Sequence, residues 1–319
     1  MALDGNIKEH MKKNKEYGVK YLRFVKSIRL NREALLLDKF KLHWFEGIDN
    51  YQYYTPKSVT ELIPHALKFK PRVLSVEFLL NNCENLDVDS IFTCDSLEDV
   101  HLSCNYDLKK FAPNSINLPH LKKLELLRLA IGSDFLINVS LGCPVLEELT
   151  LRHCRLYFDR IDFNILKKLI IVDCFAWKKA DKLKICTPSL LHLDIKKCFG
   201  LRNVSARNMP SLVDATIEFG WYENDVVIGR EPNFLGSLSN VTSLHVIVEC
   251  EIKLWENWEN ASPNSGLEEP KDDLSPREHL EMVTIVKCCM RKISSETVDL
   301  LVKYFYAHVR TIGKILIPN

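Results

Sequence analysis

The string L-x-x-L-x-L, read with other apolar residues allowed at its three leucine positions, recurs along most of the chain. It fits Leu97, Val100 and Leu102, then Leu121, Leu124 and Leu126, then Leu146, Leu149 and Leu151. Leu166, Leu169 and Ile171 follow, and after them Leu190, Leu193 and Ile195. Leu212, Ala215 and Ile217 make a weaker copy, and Val241, Leu244 and Val246 and then Leu280, Val283 and Ile285 extend the series. Upstream, Leu37, Phe40 and Leu42 match well, and Val73, Val76 and Phe78 match tolerably. From Leu97, the starts at 121, 146, 166, 190 and 212 are separated by 24, 25, 20, 24 and 22 residues. A period of about 20–29 residues is that of leucine-rich repeats, whose units bury their apolar edges only against their neighbours. The interval before Leu97 is 24, and those after Leu212 are 29 and 39, which imply insertions.

The alternation at the L-x-L end of each unit has the two-residue period of a strand. It predicts parallel strands near residues 97–103, 121–127, 146–152, 166–172, 190–196 and 212–218. A turn and a helical or irregular return segment complete each unit. Pro119, Pro144, Pro188 and Pro210 each stand two residues before the first leucine. Proline lacks an N–H and biases the preceding residue towards extended backbone, which suits the beginning of a strand. The residues between the apolar positions face outward, onto the concave side expected of such a fold. One outward column reads Lys41, Glu77, His101, Glu125, Thr150, Ile170, Asp194, Thr216, His245 and Thr284. The next reads His43, Leu79, Ser103, Leu127, Arg152, Val172, Lys196, Glu218, Ile247 and Val286. Charges mixed with exposed Leu127, Ile170, Val172 and Ile247 suit a protein partner; the alternative is that flanking loops cover the apolar residues.

The cysteines fit the same frame. The chain has 11, with no Cys-x-x-Cys pair, so zinc-ribbon and thioredoxin-type motifs are absent. Eight residues past the first apolar position, where the repeat pattern carries Asn or Cys, stand Cys154, Cys174, Cys198 and Cys288. Cys104 falls one place early. Small side chains there tie the turn to its neighbours, so the reading is a stacked ladder of reduced thiols, without disulfides, metal or cofactor.

Composition narrows the function. Lys+Arg total 43 and Asp+Glu 42, which argues against a general nucleic-acid binder. The 46% hydrophobic content is that of a globular chain. No apolar run approaches the roughly 20 residues of a membrane span, and Met1–Asn14 has no signal-peptide core, so a cytoplasmic or nuclear protein is expected. The strings G-x-S-x-G, H-E-x-x-H, G-x-G-x-x-G and G-x-x-x-x-G-K-[ST] are missing, so no active site is expected. The adjacent His153 and Cys154 read as a residue near the strand edge that points elsewhere and a ladder thiol inside, rather than a dyad. Aromatics gather after the middle repeats, with Trp221 and Tyr222 inside an inserted loop, as partner anchors or as packing for that loop. Residues 1–41 carry a net charge of +6 and residues 251–281 one of −6.

Ser140-Leu141-Gly142-Cys143-Pro144-Val145-Leu146-Glu147-Glu148-Leu149 resembles the L-x-x-G-C-P-x-L-E-x-L phrase of plant F-box/LRR proteins. The segments Ser90–Leu97 and Asn117–Leu124 are similar to two further phrases of that family. The end of the chain, with Glu296, Val298, Leu300, Leu301, Tyr304 and Phe305 and then Ile312, Ile315 and Ile317, resembles an FBD domain. The resemblance spans roughly residues 20–319, and nothing before Tyr21 resembles an F-box.

The resemblance implies a right-handed α/β leucine-rich-repeat solenoid over residues 21–260, a linker at 261–276 and an FBD-like cap at 277–319, behind a polar segment at 1–20. It implies a non-catalytic module related to the substrate-recognition part of SCF-type ubiquitin ligases. A hormone-type sensor, and a decoy or fragment of a longer F-box protein, are the alternatives. The partner is an unidentified protein target, met through His101, Glu125, Arg152, Asp194, Lys196, Glu218, Trp221 and Tyr222. A Skp1-type adaptor would join only if an F-box is supplied elsewhere. A stable interface takes roughly 20–30 residues a side around an apolar centre, which the polar Met1–Lys20 segment does not offer. Calorimetry of this chain with a Skp1-type adaptor is therefore expected to register no sub-micromolar complex; a tight complex would contradict the expectation.

Overall fold

The computed structural model describes residues 37–45, 57–82, 86–106, 112–176, 182–201, 203–206, 209–219, 226–228, 241–248, 252–254, 282–287 and 315–316. They fall in two compact units, residues 1–129 with 141–144, and residues 130–140 with 145–319.

In the first unit, neighbouring strands run parallel in chain order: β1 (Lys39–Phe45), β2 (Val73–Asn82), β3 (Asp99–Tyr106) and β4 (Lys123–Gly132). The last three residues of β4 belong to the second unit. Two returns carry helices: α1 (Lys57–Thr60) and α2 (Leu62–Leu67) precede β2, and α3 (Val88–Phe92) precedes β3, whereas the described residues 112–122 ahead of β4 are irregular. Asp87 caps α3 by accepting the Ser90 amide at 3.0 Å. Asp89 in its first turn takes both the backbone and side-chain N–H of Asn114, at 2.7 and 2.6 Å. A further helix, α4 (Ser133–Gly142), follows β4.

The second unit carries a parallel ladder of β5 (Glu148–Arg152), β8 (Lys168–Val172), β11 (His192–Lys196), β13 (Asp214–Phe219), β15 (Ser243–Val248) and β17 (Met282–Lys287). The short β18 (Ile315–Leu316) pairs with β17. Its returns are largely strands. β6 (Arg155–Tyr157) lies between the end of β4 and β9 (Phe175–Ala176). β7 (Arg160–Asp162), β10 (Lys182–Cys186) and β12 (Asn203–Ala206) form a separate parallel sheet, and β14 (Val226–Ile228) pairs with β16 (Ile252–Leu254).

Register shows why these residues form these elements. In the first unit Leu42 pairs with Val76, Val76 with Leu102 and Leu102 with Leu126. In the second, Leu151, Ile171, Ile195, Ile217, Val246 and Ile285 line up in the same way. All three apolar residues of each repeat from Leu97 to Val246 are 2% exposed or less. Each fully buried Leu, Ile or Val contributes about 1.5–3 kcal/mol, so a slip by one residue would expose a whole row. The backbone adds a clip at each strand start. Glu98 and Asp99 both donate to the Arg72 carbonyl at 2.8 and 3.1 Å, and Lys122 and Lys123 both donate to Glu98. Lys167 and Lys168 do the same to Glu147, and Leu191 and His192 to Lys167. One carbonyl has the two lone pairs this needs.

Four expectations are corrected. Arg72 and Val73 share the Asp38 carbonyl, so the repeat there is framed by Pro71, Leu74 and Val76, not by Val73, Val76 and Phe78. Inward alternation runs on to Phe78, which is fully buried, so the strand matches itself two residues along. The outward positions of that repeat are consequently Ser75 and Glu77, not Glu77 and Leu79. Second, strands begin at Asp99, Lys123, Glu148, Lys168, His192 and Asp214, two residues after the first leucine. Third, the prolines belong to a turn ahead of the strand. Leu121, Leu190 and Leu212 donate back to Leu118, Thr187 and Met209 at 3.1, 3.1 and 3.2 Å, which puts Pro119, Pro188 and Pro210 at the second turn position. There the fixed proline φ is an advantage. Fourth, the expected helical or irregular return gives way to strands after β5. Ile161 is buried between exposed Arg160 and Asp162, and Leu183 and Ile185 are buried around exposed Lys184, a strand's alternation.

Gly142, in the phrase Gly142-Cys143-Pro144, sits where a Cβ would lie 2.1 Å from the Ile116 carbonyl oxygen. Its own carbonyl accepts the Leu118 amide at 2.9 Å. Gly142→Ala must push two backbones apart, and is expected to cost about 1–3 kcal/mol in a denaturant titration. An unchanged midpoint would contradict this packing.

Candidate functional site

On the outward face of the first unit, the two columns read Lys41, Ser75, His101 and Glu125, and His43, Glu77, Ser103 and Leu127. Neighbours in a column pair up. His101 Nδ1 lies 2.9 Å from Glu125 Oε2, both side chains being partly exposed. Glu77 stands between His43, at 3.8 Å, and Arg128, at 3.5 Å. The Arg128 guanidinium also donates to the buried Ser103 hydroxyl. The pattern singled out His101 and Glu125 but missed the Glu77–Ser103–Arg128 cluster. Arg128 belongs to neither column, because the chain leaves strand geometry there at φ 58°. Its signal in the sequence is its place seven residues after Leu121.

That place is special in every middle repeat. His153, Asp173 and Lys197 stand seven residues after their first leucines and have φ of 51°, 54° and 51°. Left-handed backbone costs a non-glycine residue about 1–2 kcal/mol. It is held by the next repeat, since His153 donates to Val172 and Asp173 to Lys196, both at 3.0 Å. The turn sends the residue before it outward and the residue after it inward. His153 is accordingly exposed, with Nε2 3.9 Å from Asp173, while Cys154 is 1% exposed.

The outward columns of the second unit read Thr150, Ile170, Asp194, Thr216 and His245, and Arg152, Val172, Lys196, Glu218 and Ile247. Lys196 donates to Asp194 at 2.9 Å, so its charge is met within its own strand. Arg152 and Lys196 flank Val172, roughly 10 Å apart at the backbone for two strand spacings. Leu127, Ile170, Val172 and Ile247 were expected to be exposed; all are half-buried. The exposed large apolar side chains among the described residues are Ile137, Leu141, Val145, Ile165, Phe175 and Val213, none of them in these columns. Trp221 and Tyr222 lie outside the described residues.

Charge also runs along the edge where strands begin. Arg72 donates to Glu98 at 2.7 Å and Lys122 to the same carboxylate at 3.2 Å. These two cations hold the Glu98 carboxyl down at about 2. In the second unit Lys167 donates to Glu147 at 2.8 Å. The alternation of Glu98, Lys122, Glu147 and Lys167 stands in the sequence one residue past each repeat start, and Arg72 joins it once the repeat is framed at Pro71.

The cysteine places are now visible. Cys94, Cys104, Cys143, Cys154, Cys174, Cys186 and Cys198 carry thiols rather than disulfides. Cys104, Cys154 and Cys174 are buried, whereas Cys198, expected inside, is half-buried. Cys288 lies outside the described residues. The thiols of Cys154, Cys174 and Cys198 each turn back on their own chain: Cys154 donates to Arg152 at 3.3 Å, Cys174 to Val172 at 3.4 Å and Cys198 to Lys196 at 3.3 Å. Cys174 also reaches Leu151 at 3.4 Å and Cys198 reaches Ile171 at 3.5 Å, each in the preceding repeat. Burial, then the adjacent Cys154 and Cys198, push the Cys174 thiol well up. Burial alone pushes Cys143 up to about 12.

Mostly parallel strands lined by leucine, with few helices, define an α/β leucine-rich-repeat-like fold. The chain is similar over residues 72–212 to the family described as the LRR repeats of the FBD-associated F-box protein At5g56370. No curated protein and no solved structure matches the chain.

Because the thiolate is the reacting form, burial sets an order of labelling. Among the described cysteines, a maleimide at neutral pH is expected to modify half-buried Cys94, Cys186 and Cys198 first in the native chain. Cys143, Cys154 and Cys174 should resist until it unfolds. Peptide mapping checks this; equal rates for all would contradict the burial of the ladder.

Proposed function

We propose that the chain is a non-catalytic protein-interaction module, related to the substrate-recognition part of SCF-type ubiquitin ligases. The observation that carries this reading is the outward face of the second unit. There Thr150, Ile170 and Thr216, with Arg152, Val172 and Glu218, stand half-exposed and in register. Apolar side chains ringed by polar ones, on strands that are buried behind, make a rigid contact surface that loses little freedom on binding. In this reading the repeats form a right-handed solenoid closed by an FBD-like cap. The partner is a protein target in the cytoplasm or nucleus, with no nucleic acid, membrane or cofactor involved. A Skp1-type adaptor would join through an F-box supplied elsewhere, and catalysis would belong to other components. The hormone-sensor alternative would have only Arg152 and Lys196 near a concave pocket, and Lys196 is held by Asp194 at 2.9 Å.

The test is affinity for a target identified by co-purification with the full chain. Thr150→Arg with Thr216→Arg fills the face and is expected to weaken binding at least about tenfold, or 1.4 kcal/mol. Arg160→Ala, on the return strand β7, should leave it unchanged. Equal binding by both variants would remove the face from the function.

A further inference from the structure

Cys154, Cys174 and Cys198 hold the same place in three consecutive repeats. Their backbones run side by side: the Phe175 amide donates to the Cys154 carbonyl and the Phe199 amide to the Cys174 carbonyl, each at 2.8 Å. Phe175 and Phe199 form a parallel bridge one residue further on. Neighbouring strands lie about 4.8 Å apart, inside the Cα range of roughly 4.4–6.8 Å that a disulfide spans. The side chains share a direction as well, since each thiol turns back to the carbonyl two residues before it and to one in the preceding repeat: Cys174 to Val172 and Leu151, both at 3.4 Å, and Cys198 to Lys196 at 3.3 Å and Ile171 at 3.5 Å. Access is graded along the row. Cys174 is 0% exposed and Cys154 1%, while Cys198 at the end is half-buried.

We propose that Cys198 and Cys174 are a modification site for hydroperoxides, at which oxidation joins two consecutive repeats by a disulfide. Cys198 gives up its proton, and its thiolate attacks the peroxide O–O bond. The sulfur keeps one oxygen as a sulfenic acid, and the other leaves as alkoxide or hydroxide and takes up the proton. The Cys174 sulfur, in the adjacent repeat, attacks the sulfenic sulfur. The S–O bond breaks, the S–S bond forms, and the sulfenic oxygen leaves as water with the Cys174 proton. Two thiols lose two electrons in total, and the peroxide gains them. Cys174 can bond to one neighbour only, so this bridge leaves Cys154 a thiol. Without an oxidant the row stays reduced. Cys94 provides an internal contrast: it is half-buried too, but its sulfur meets the Ser96 hydroxyl at 3.3 Å, which cannot close a disulfide.

The site is independent of the interaction reading, so its test needs no partner. The full chain is treated with hydrogen peroxide, quenched with a maleimide and mapped by mass spectrometry. The expected product is a peptide pair linked through Cys174 and Cys198, lighter by two hydrogen atoms and restored by a thiol reductant. Cys94 in the same sample should carry added oxygen and no internal link. Cys198→Ser should abolish the link, and Cys154→Ser should preserve it. Oxygen addition at Cys198 without a link, or a dominant Cys154–Cys174 link, would overturn the proposal. The map of the unsubstituted chain decides this even if a variant fails to fold.

Discussion

A strand of five residues with one apolar edge cannot bury that edge alone, and this constraint governs the rest of the structure. Leu151 is buried because Ile171 lies beside it, and Ile171 because Ile195 does. Register is therefore enforced by the interior, and whatever the outward columns carry is aligned as a consequence. The paired donations into single carbonyls, such as Lys167 and Lys168 into Glu147, hold the same register from the backbone.

The other periodic features serve the exit from each strand. A chain that continued straight would leave its next apolar residue on the wrong side. The left-handed residue at His153, Asp173 and Lys197 reverses that, at a cost of about 1–2 kcal/mol each on general grounds. What it gains is an inward cysteine whose thiol reaches carbonyls of its own strand and, at Cys174 and Cys198, of the preceding repeat. A small side chain is needed because a carbonyl lies within about 3.5 Å, and a thiol donates weakly enough to be buried at small cost. Gly200 follows the same logic two residues after Cys198, with φ 73° and the Ala176 carbonyl 2.5 Å from where a Cβ would be.

Polar groups on the outward faces are largely occupied by one another. His101 meets Glu125, Lys196 meets Asp194, and Glu77, Ser103 and Arg128 form one cluster. Such pairs fix side chains in place and contribute little individually when exposed. In the second unit the Lys196–Asp194 pair stands in the same outward columns as half-buried Ile170 and Val172.

By itself the sequence determined the repeat, its period, the inward triplets and the cysteine row, because each is a local pattern that recurs and each recurrence tests the others. The likeness to the F-box-associated repeats was carried by particular phrases, such as Ser140 to Leu149. The repeat at Pro71 was misframed because alternation has period two and Phe78 is as apolar as Val76, so local pattern could not choose between frames two residues apart. Only the shared Asp38 carbonyl decides it, and that bond joins residues from different repeats. The short return strands, the half-exposure of Cys198 and the clasp of Arg128 on Glu77 were likewise beyond the sequence. Arg128 and Glu77 are 51 residues apart, and no one-dimensional pattern encodes a contact that exists only once the strands between them are stacked.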